Sequence, residues 1–153
     1  CHLFGCEIAA YDLFPKKNAP EYLHYGTLEE VLSKSDIVTL HCPLTEDSRN
    51  LINQDRIAQM KKGAILINAA RGPIVDSKAL ADALNSGYLR GAGVDVFEME
   101  PPLPMDHPLL HSINTIVTPH IAFASDESME IRAKIVFENI QKWMNKEQVN
   151  TIL

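Results

Sequence analysis

Three residues of this chain carry side chains that together suit the reduction of a carbonyl beside a carboxylate: Arg71, Glu100 and His120. An arginine offers a planar fork of donors that matches a carboxylate and can polarise a neighbouring carbonyl. A histidine oriented by a carboxylate is a general acid/base whose imidazolium form is available near neutrality. In that scheme a nicotinamide delivers the hydride, His120 supplies the proton, Arg71 holds the substrate carboxylate and Glu100 supports His120. Taken singly, each residue has a bland reading: a surface ion pair, a solvated loop acid and a strand-end histidine. Their joint placement argues otherwise.

That placement follows from the elements around them. Short apolar runs recur along the chain: Cys6–Tyr11, Asp36–Leu40, Ala64–Asn68, Ala92–Val96 and Thr115–Thr118, with a possible edge strand at Tyr22–His24. They are β-branched and largely non-alternating, which predicts strands covered on both faces. Helical stretches separate them. Thr27 and Glu30 form a capping box that opens a helix to about Ser33. Asn53 caps a second, ending near Lys61–Gly63, and Ser77 a third, stopped by Gly87. Ser125 caps the last and longest, whose Ala133, Val136, Phe137, Ile140, Trp143 and Met144 recur at helical spacing and read as a core face. Strands alternating with helices every 25 residues or so predict an α/β fold with a doubly wound parallel sheet.

Ligands of such a sheet lie beyond the carboxyl ends of its strands. Asp12 follows the first run. His41, Cys42 and Pro43 follow Asp36–Leu40, and Arg71 follows Ala64–Asn68. Asp95 lies in Ala92–Val96 with Glu100 just beyond, and Pro119 and His120 follow Thr115–Thr118. Five polar strand ends on one edge read as an active-site rim. A carboxylate at the position of Asp12 can accept from both ribose hydroxyls of an adenosine and repels a 2′-phosphate, so NAD is favoured over NADP.

Other readings are weaker. His107 and His111 stand four apart, but Pro108 lies between them and no third ligand is evident, so no metal is expected. Cys42 reads as a strand-end thiol because no base is placed beside it. Three cysteines without framework spacing point to a reducing, cytoplasmic setting rather than a disulfide scaffold. The 153 residues carry a net charge of −6, which offers no basic face to nucleic acid or anionic lipid. No run of apolar residues is long enough to cross a membrane, and no signal peptide is visible.

Five segments carry a resemblance over essentially the whole chain: Tyr11-Asp12, Ser35–Thr45, Met60–Asp76, Gly93–Pro102 and Thr118–Ser125. With them the chain resembles the D-isomer-specific 2-hydroxyacid dehydrogenases. The resemblance implies a Rossmann-like fold, NAD as cofactor and a small 2-keto or 2-hydroxy acid as substrate. It gives Arg71, Glu100 and His120 the catalytic roles and sets Asp95 on the nicotinamide carboxamide. It also lines the cofactor with backbone around His41, Cys42 and Pro43 and around Ala69 and Ala70. A homodimer through the nucleotide-binding domain is implied as well. Residues 1–124 would then be that domain, and residues 125–153 a helix and tail that pack on a substrate domain.

The resemblance also has gaps. The family's Gly-x-Gly-x-x-Gly fingerprint is absent, because its first strand, glycine-rich turn and most of the next helix should precede Cys1. That strand is central in the order 3-2-1-4-5-6, so the sheet is expected to be incomplete at its N-terminus, with Cys6–Tyr11 and Asp36–Leu40 not neighbours. Unpaired central backbone is costly to bury, so these residues alone are expected to lack a stable, NAD-competent domain. Upstream residues, a partner strand or a different closure would each resolve this. Phe123 after His120 suggests an apolar wall and a substrate such as pyruvate, hydroxypyruvate or glyoxylate. Two further readings stay open: an NAD-sensing corepressor-like module and an inactive remnant.

Overall fold

The strands form where the apolar runs predict them, four of them trimmed at their ends, while the edge strand expected at Tyr22–His24 is shifted one residue on and the one expected at Ala92–Val96 starts one residue earlier and stops two earlier. In this computed structural model, which describes residues 1–99 and 102–151, they are β1 (Ile8–Ala10), β2 (Leu23–Tyr25), β3 (Ile37–Leu40), β4 (Ile65–Asn68), β5 (Gly91–Val94) and β6 (Thr115–Val117). All ladders are parallel. Ile8 to Ala10 pair with Leu23 to Tyr25 in a two-stranded sheet. A four-stranded sheet runs in the order β3-β4-β5-β6. Among the described residues no ladder joins β1 to β3, as the strand order expected from the sequence requires.

Helices α1 (Leu28–Lys34), α2 (Gln54–Gln59) and α3 (Ser77–Asn85) connect the strands, and α4 (Asp126–Met144) follows them. The Thr27–Glu30 capping box is present in both directions, satisfying two orphan donors of α1. Asn53 accepts from the Arg56 N–H at 3.0 Å and opens α2. That helix ends at Gln59, short of the expected Lys61–Gly63. The cap of α3 is Asp76, not Ser77: Asp76 Oδ1 takes the Ala79 N–H at 3.0 Å, and Ser77 is the buried first residue of the helix. Two adjacent cap-forming residues compete there, and a parallel bridge between Ile52 and Val75 fixes which one sits at the turn. Gly87, at φ +71, ends α3 in the left-handed region that glycine enters without cost.

The chain divides into two compact units, residues 1–119 and 120–153. In the first, Leu32, Ile57, Leu80 and Leu84 from the helices share one core with Val38, Leu40, Leu66, Ala92 and Val94 from the strands. Each fully buried aliphatic side chain of this set contributes about 1.5–3 kcal/mol. Burial alternates along β3, β4 and β5. The expectation of strands covered on both faces is therefore corrected. One face carries the core, whereas Ile37, Ile67 and Ile116 on the other remain exposed, because the buried helical residues lie on the first side.

The second unit holds α4, capped by Ser125 with Ser128 returning the bond to the Ser125 N–H. Within these residues its apolar stripe has no cover. Val136, Phe137, Ile140, Trp143 and Met144 are all exposed, and α4 buries no residue. A single helix cannot bury its own apolar face.

Candidate active site

The register of the four-stranded sheet lines up the predicted rim. Leu40 pairs with Asn68, Asn68 with Val94, and Val94 with Val117. One residue further on, His41, Ala69, Asp95 and Thr118 stand in a row past the carboxyl ends of the strands. At the usual strand spacing that row spans about 14 Å. Asp12 follows β1 on the separate two-stranded sheet and is exposed, with Oδ1 accepting the Phe14 N–H at 2.8 Å. Glu100 lies outside the described residues.

The rim is braced from within by residues the sequence reading passed over. Asn68 is buried at the end of β4. Its amide nitrogen donates to the Arg71 carbonyl at 3.0 Å and its Oδ1 takes the Ala70 N–H at 3.1 Å, which shapes the Ala69–Arg71 turn. Its own carbonyl accepts the Asp95 N–H at 2.9 Å. Asp95 is itself buried, and Thr118 Oγ1 donates to Asp95 Oδ1 at 2.5 Å. A buried carboxylate is tolerated only when hydrogen-bonded, so this contact fixes where Asp95 points. The signal for Asn68 and Thr118 was their position, a polar side chain at the last inward residue of a strand or one residue beyond it.

Arg71 ends this turn with its side chain exposed and Nη1 donating to the Ala70 carbonyl at 2.6 Å. Gly72 behind it is buried and admits no side chain. A Cβ there would stand 1.9 Å from the Phe97 carbonyl carbon and oxygen and 2.5 Å from the Glu98 nitrogen. The Arg71–Gly72 turn thus rests directly on the peptide that joins Phe97 to Glu98.

The next loop is tied in a similar way. His41 is exposed, its Nε2 at 3.0 Å from Thr39 Oγ1. Cys42 is half-buried, and burial pushes its thiol above the ordinary range. Pro43 is held by Ser48, whose hydroxyl donates to the Pro43 carbonyl at 2.7 Å.

His120 opens the second unit. Its φ is +57, in the left-handed region that few residues other than glycine adopt. Its ring stands edge-on to Phe123 at 6.0 Å, and the Arg132 guanidinium lies 5.1 Å from the centre of the Phe123 ring. His107 and His111, weighed above as metal ligands, have other partners: Glu98 Oε2 at 3.3 Å and the Met105 carbonyl at 2.6 Å.

With this geometry in hand, comparison with known proteins decides the family. The NAD-binding domain of the D-isomer-specific 2-hydroxyacid dehydrogenases matches residues 1–122. The chain belongs to that family. A glyoxylate reductase of Korarchaeum cryptofilum is 44% identical over 139 residues, which are 90% of this chain and 42% of the relative. A hydroxypyruvate reductase of Blautia hydrogenotrophica is 39% identical over 149 residues, 97% of this chain and 46% of the relative. Among solved structures, a D-lactate dehydrogenase with NAD+ from Lactobacillus jensenii superposes with a TM-score of 0.88 at 32% identity. That match covers 99% of this chain and 49% of the other. The chain spans about half the length of the dehydrogenases it matches. Its parallel sheets and helices are those of the family's Rossmann-like, NAD-binding fold.

The residues present fit that cofactor. An exposed carboxylate follows β1, and an anchored loop follows β3. A buried, oriented carboxylate follows β5, all beyond the carboxyl ends of parallel strands, where dinucleotides bind in such sheets.

Proposed function

We propose that the chain is the nucleotide-binding part of an NAD-dependent oxidoreductase that interconverts a small D-2-hydroxy acid and its 2-keto acid. The observation that carries this reading is an exposed guanidinium, Arg71, on a turn braced by Asn68 at the end of the inner strand β4, whose neighbour β5 is followed by the hydrogen-bonded Asp95. Bound NADH supplies a hydride. Arg71 holds the substrate carboxylate through its fork of donors and polarises the adjacent carbonyl. His120 gives its proton to the forming hydroxyl and Glu100 orients the imidazole, the division of labour usual for a histidine acid. Asp95 accepts from the nicotinamide carboxamide and so presents one face of the ring. Asp12 accepts from the adenosine ribose, which favours NAD over NADP. The backbone of His41 to Pro43 and of Ala69 and Ala70 completes the cofactor wall. Residues 125–153 cover a substrate domain in this reading, and a second copy of the protein is the expected partner. Phe123 beside His120 favours a small or apolar substrate.

The test is NADH oxidation by the full-length protein with glyoxylate, hydroxypyruvate and pyruvate. Turnover of at least one is expected. An NADH-binding protein that reduces none of them overturns the reading. In the active enzyme, His120→Ala is expected to remove about 100-fold or more of the rate and leave NADH affinity unchanged. A surviving rate removes His120 as the proton donor.

A further inference from the structure

The loop that leaves β5 is gripped by a buried imidazole for which the proposed chemistry has no use. The side chain of His107 is 7% exposed. Its Nδ1 accepts the Leu109 N–H at 3.3 Å, so that nitrogen carries no proton and Nε2 does. Nε2 lies 3.3 Å from Glu98 Oε2 and donates to it. The same ring stands edge-on to Phe97, with centroids 5.3 Å apart and planes at 90°. One side chain therefore holds two consecutive residues, Phe97 and Glu98.

The peptide between those two residues is the surface on which Gly72 rests. The contact is backbone on backbone. No side chain at position 72 can take up slack, so a shift of the Phe97–Glu98 peptide passes directly into the turn that carries Arg71. From these contacts we infer that His107 is a positioning residue for Arg71. By fixing Phe97 and Glu98 it sets the wall that aims the guanidinium. The inference rests on the reading of Arg71 as the carboxylate anchor. Misplacement of a binding group by about 1 Å can cost up to about 100-fold in rate.

Two substitutions separate this role from simple support of the fold. In His107→Asn the amide oxygen replaces Nδ1 and keeps the Leu109 cap, but the side chain is too short to reach Glu98. In His107→Gln the amide nitrogen replaces Nε2 and keeps the donor to Glu98, while the cap is lost. In the full-length protein, with NADH and the keto acid that the wild type reduces, His107→Asn is expected to lower kcat/KM by about 10- to 100-fold. The loss should be carried largely by KM for the keto acid, with NADH affinity unchanged. His107→Gln should restore most of it. The opposite order, with His107→Asn behaving as wild type and His107→Gln failing together with its melting temperature, overturns the proposal and leaves the functional reading intact.

A second readout needs no turnover. The Ile74 and Val75 amides donate to the Arg71 and Gly72 carbonyls at 3.3 and 3.1 Å, so their hydrogen exchange reports on the turn itself. His107→Asn is expected to speed exchange at both. If the wild type reduces no keto acid, the functional reading fails, and exchange still decides the clamp. Unchanged exchange at Ile74 and Val75 in His107→Asn overturns it.

Discussion

Arg71 owes its usefulness to planarity as well as charge. A lysine at that position keeps the positive charge but replaces the two-pronged donor with a point. Losing one charge-assisted hydrogen bond costs about 1.5–3 kcal/mol, or about 10- to 100-fold in affinity. Arg71→Lys is therefore expected to raise KM for the keto acid by that factor with NADH affinity unchanged. Steady-state kinetics beside a fluorescence titration of NADH checks both. Cys42 gives a second test at this scale. Its thiol is raised by burial, so its folded value lies above its unfolded one. The stability linked to it is then fully present below the unfolded value, near 9.0, and is lost as pH rises through the folded one. Iodoacetamide at neutral pH should label Cys42 more slowly than the exposed Cys1 and Cys6, as read by peptide mass spectrometry. Equal rates would contradict the burial.

Among the elements, α1 depends most visibly on its first turn. Thr27 Oγ1 takes the Glu30 N–H at 3.2 Å, and the Glu30 carboxylate takes the Thr27 N–H at 3.0 Å. Thr27→Ala should cost about 1 kcal/mol, measured by urea unfolding of the full-length protein. This box was legible in the sequence because its two residues are adjacent in the pattern and need no tertiary partner. The strands were legible for a related reason, since their β-branched runs stand between glycine and polar turns. Which strand face would be covered was not legible. Isoleucine at positions 37, 67 and 116 looks the same whether or not a helix lies over it. The brace formed by Asn68 and Thr118 escaped for the converse reason. A polar residue at a strand end has many ordinary explanations, and only the register of the three strands β4, β5 and β6 links Asn68 to Asp95 and Asp95 to Thr118. The Asp76 cap was missed because Ser77 is as good a cap by type, and a long-range bridge makes the choice.

At the scale of the molecule, much apolar surface stays open. Ile37, Ile67 and Ile116 are exposed on the sheet, and Phe137, Trp143 and Met144 on α4. Patches of this kind mark surfaces that other protein covers. The 153-residue stretch expressed by itself should bind a hydrophobic dye such as ANS and grow in apparent size with concentration, as followed by light scattering. The full-length protein should do neither, and equal dye binding by the two would mean that these faces stay open throughout. The left-handed backbone at His120 sets the molecule's margin in a different way. A side chain there gives up about 1 kcal/mol that a glycine would not, against a total of only about 5–15 kcal/mol. His120→Gly is thus expected to raise the unfolding midpoint while abolishing turnover. In a randomised library, screening for heat resistance and screening for activity would pull position 120 in opposite directions. A variant pool enriched by heat alone would lose its catalysts first at this one residue.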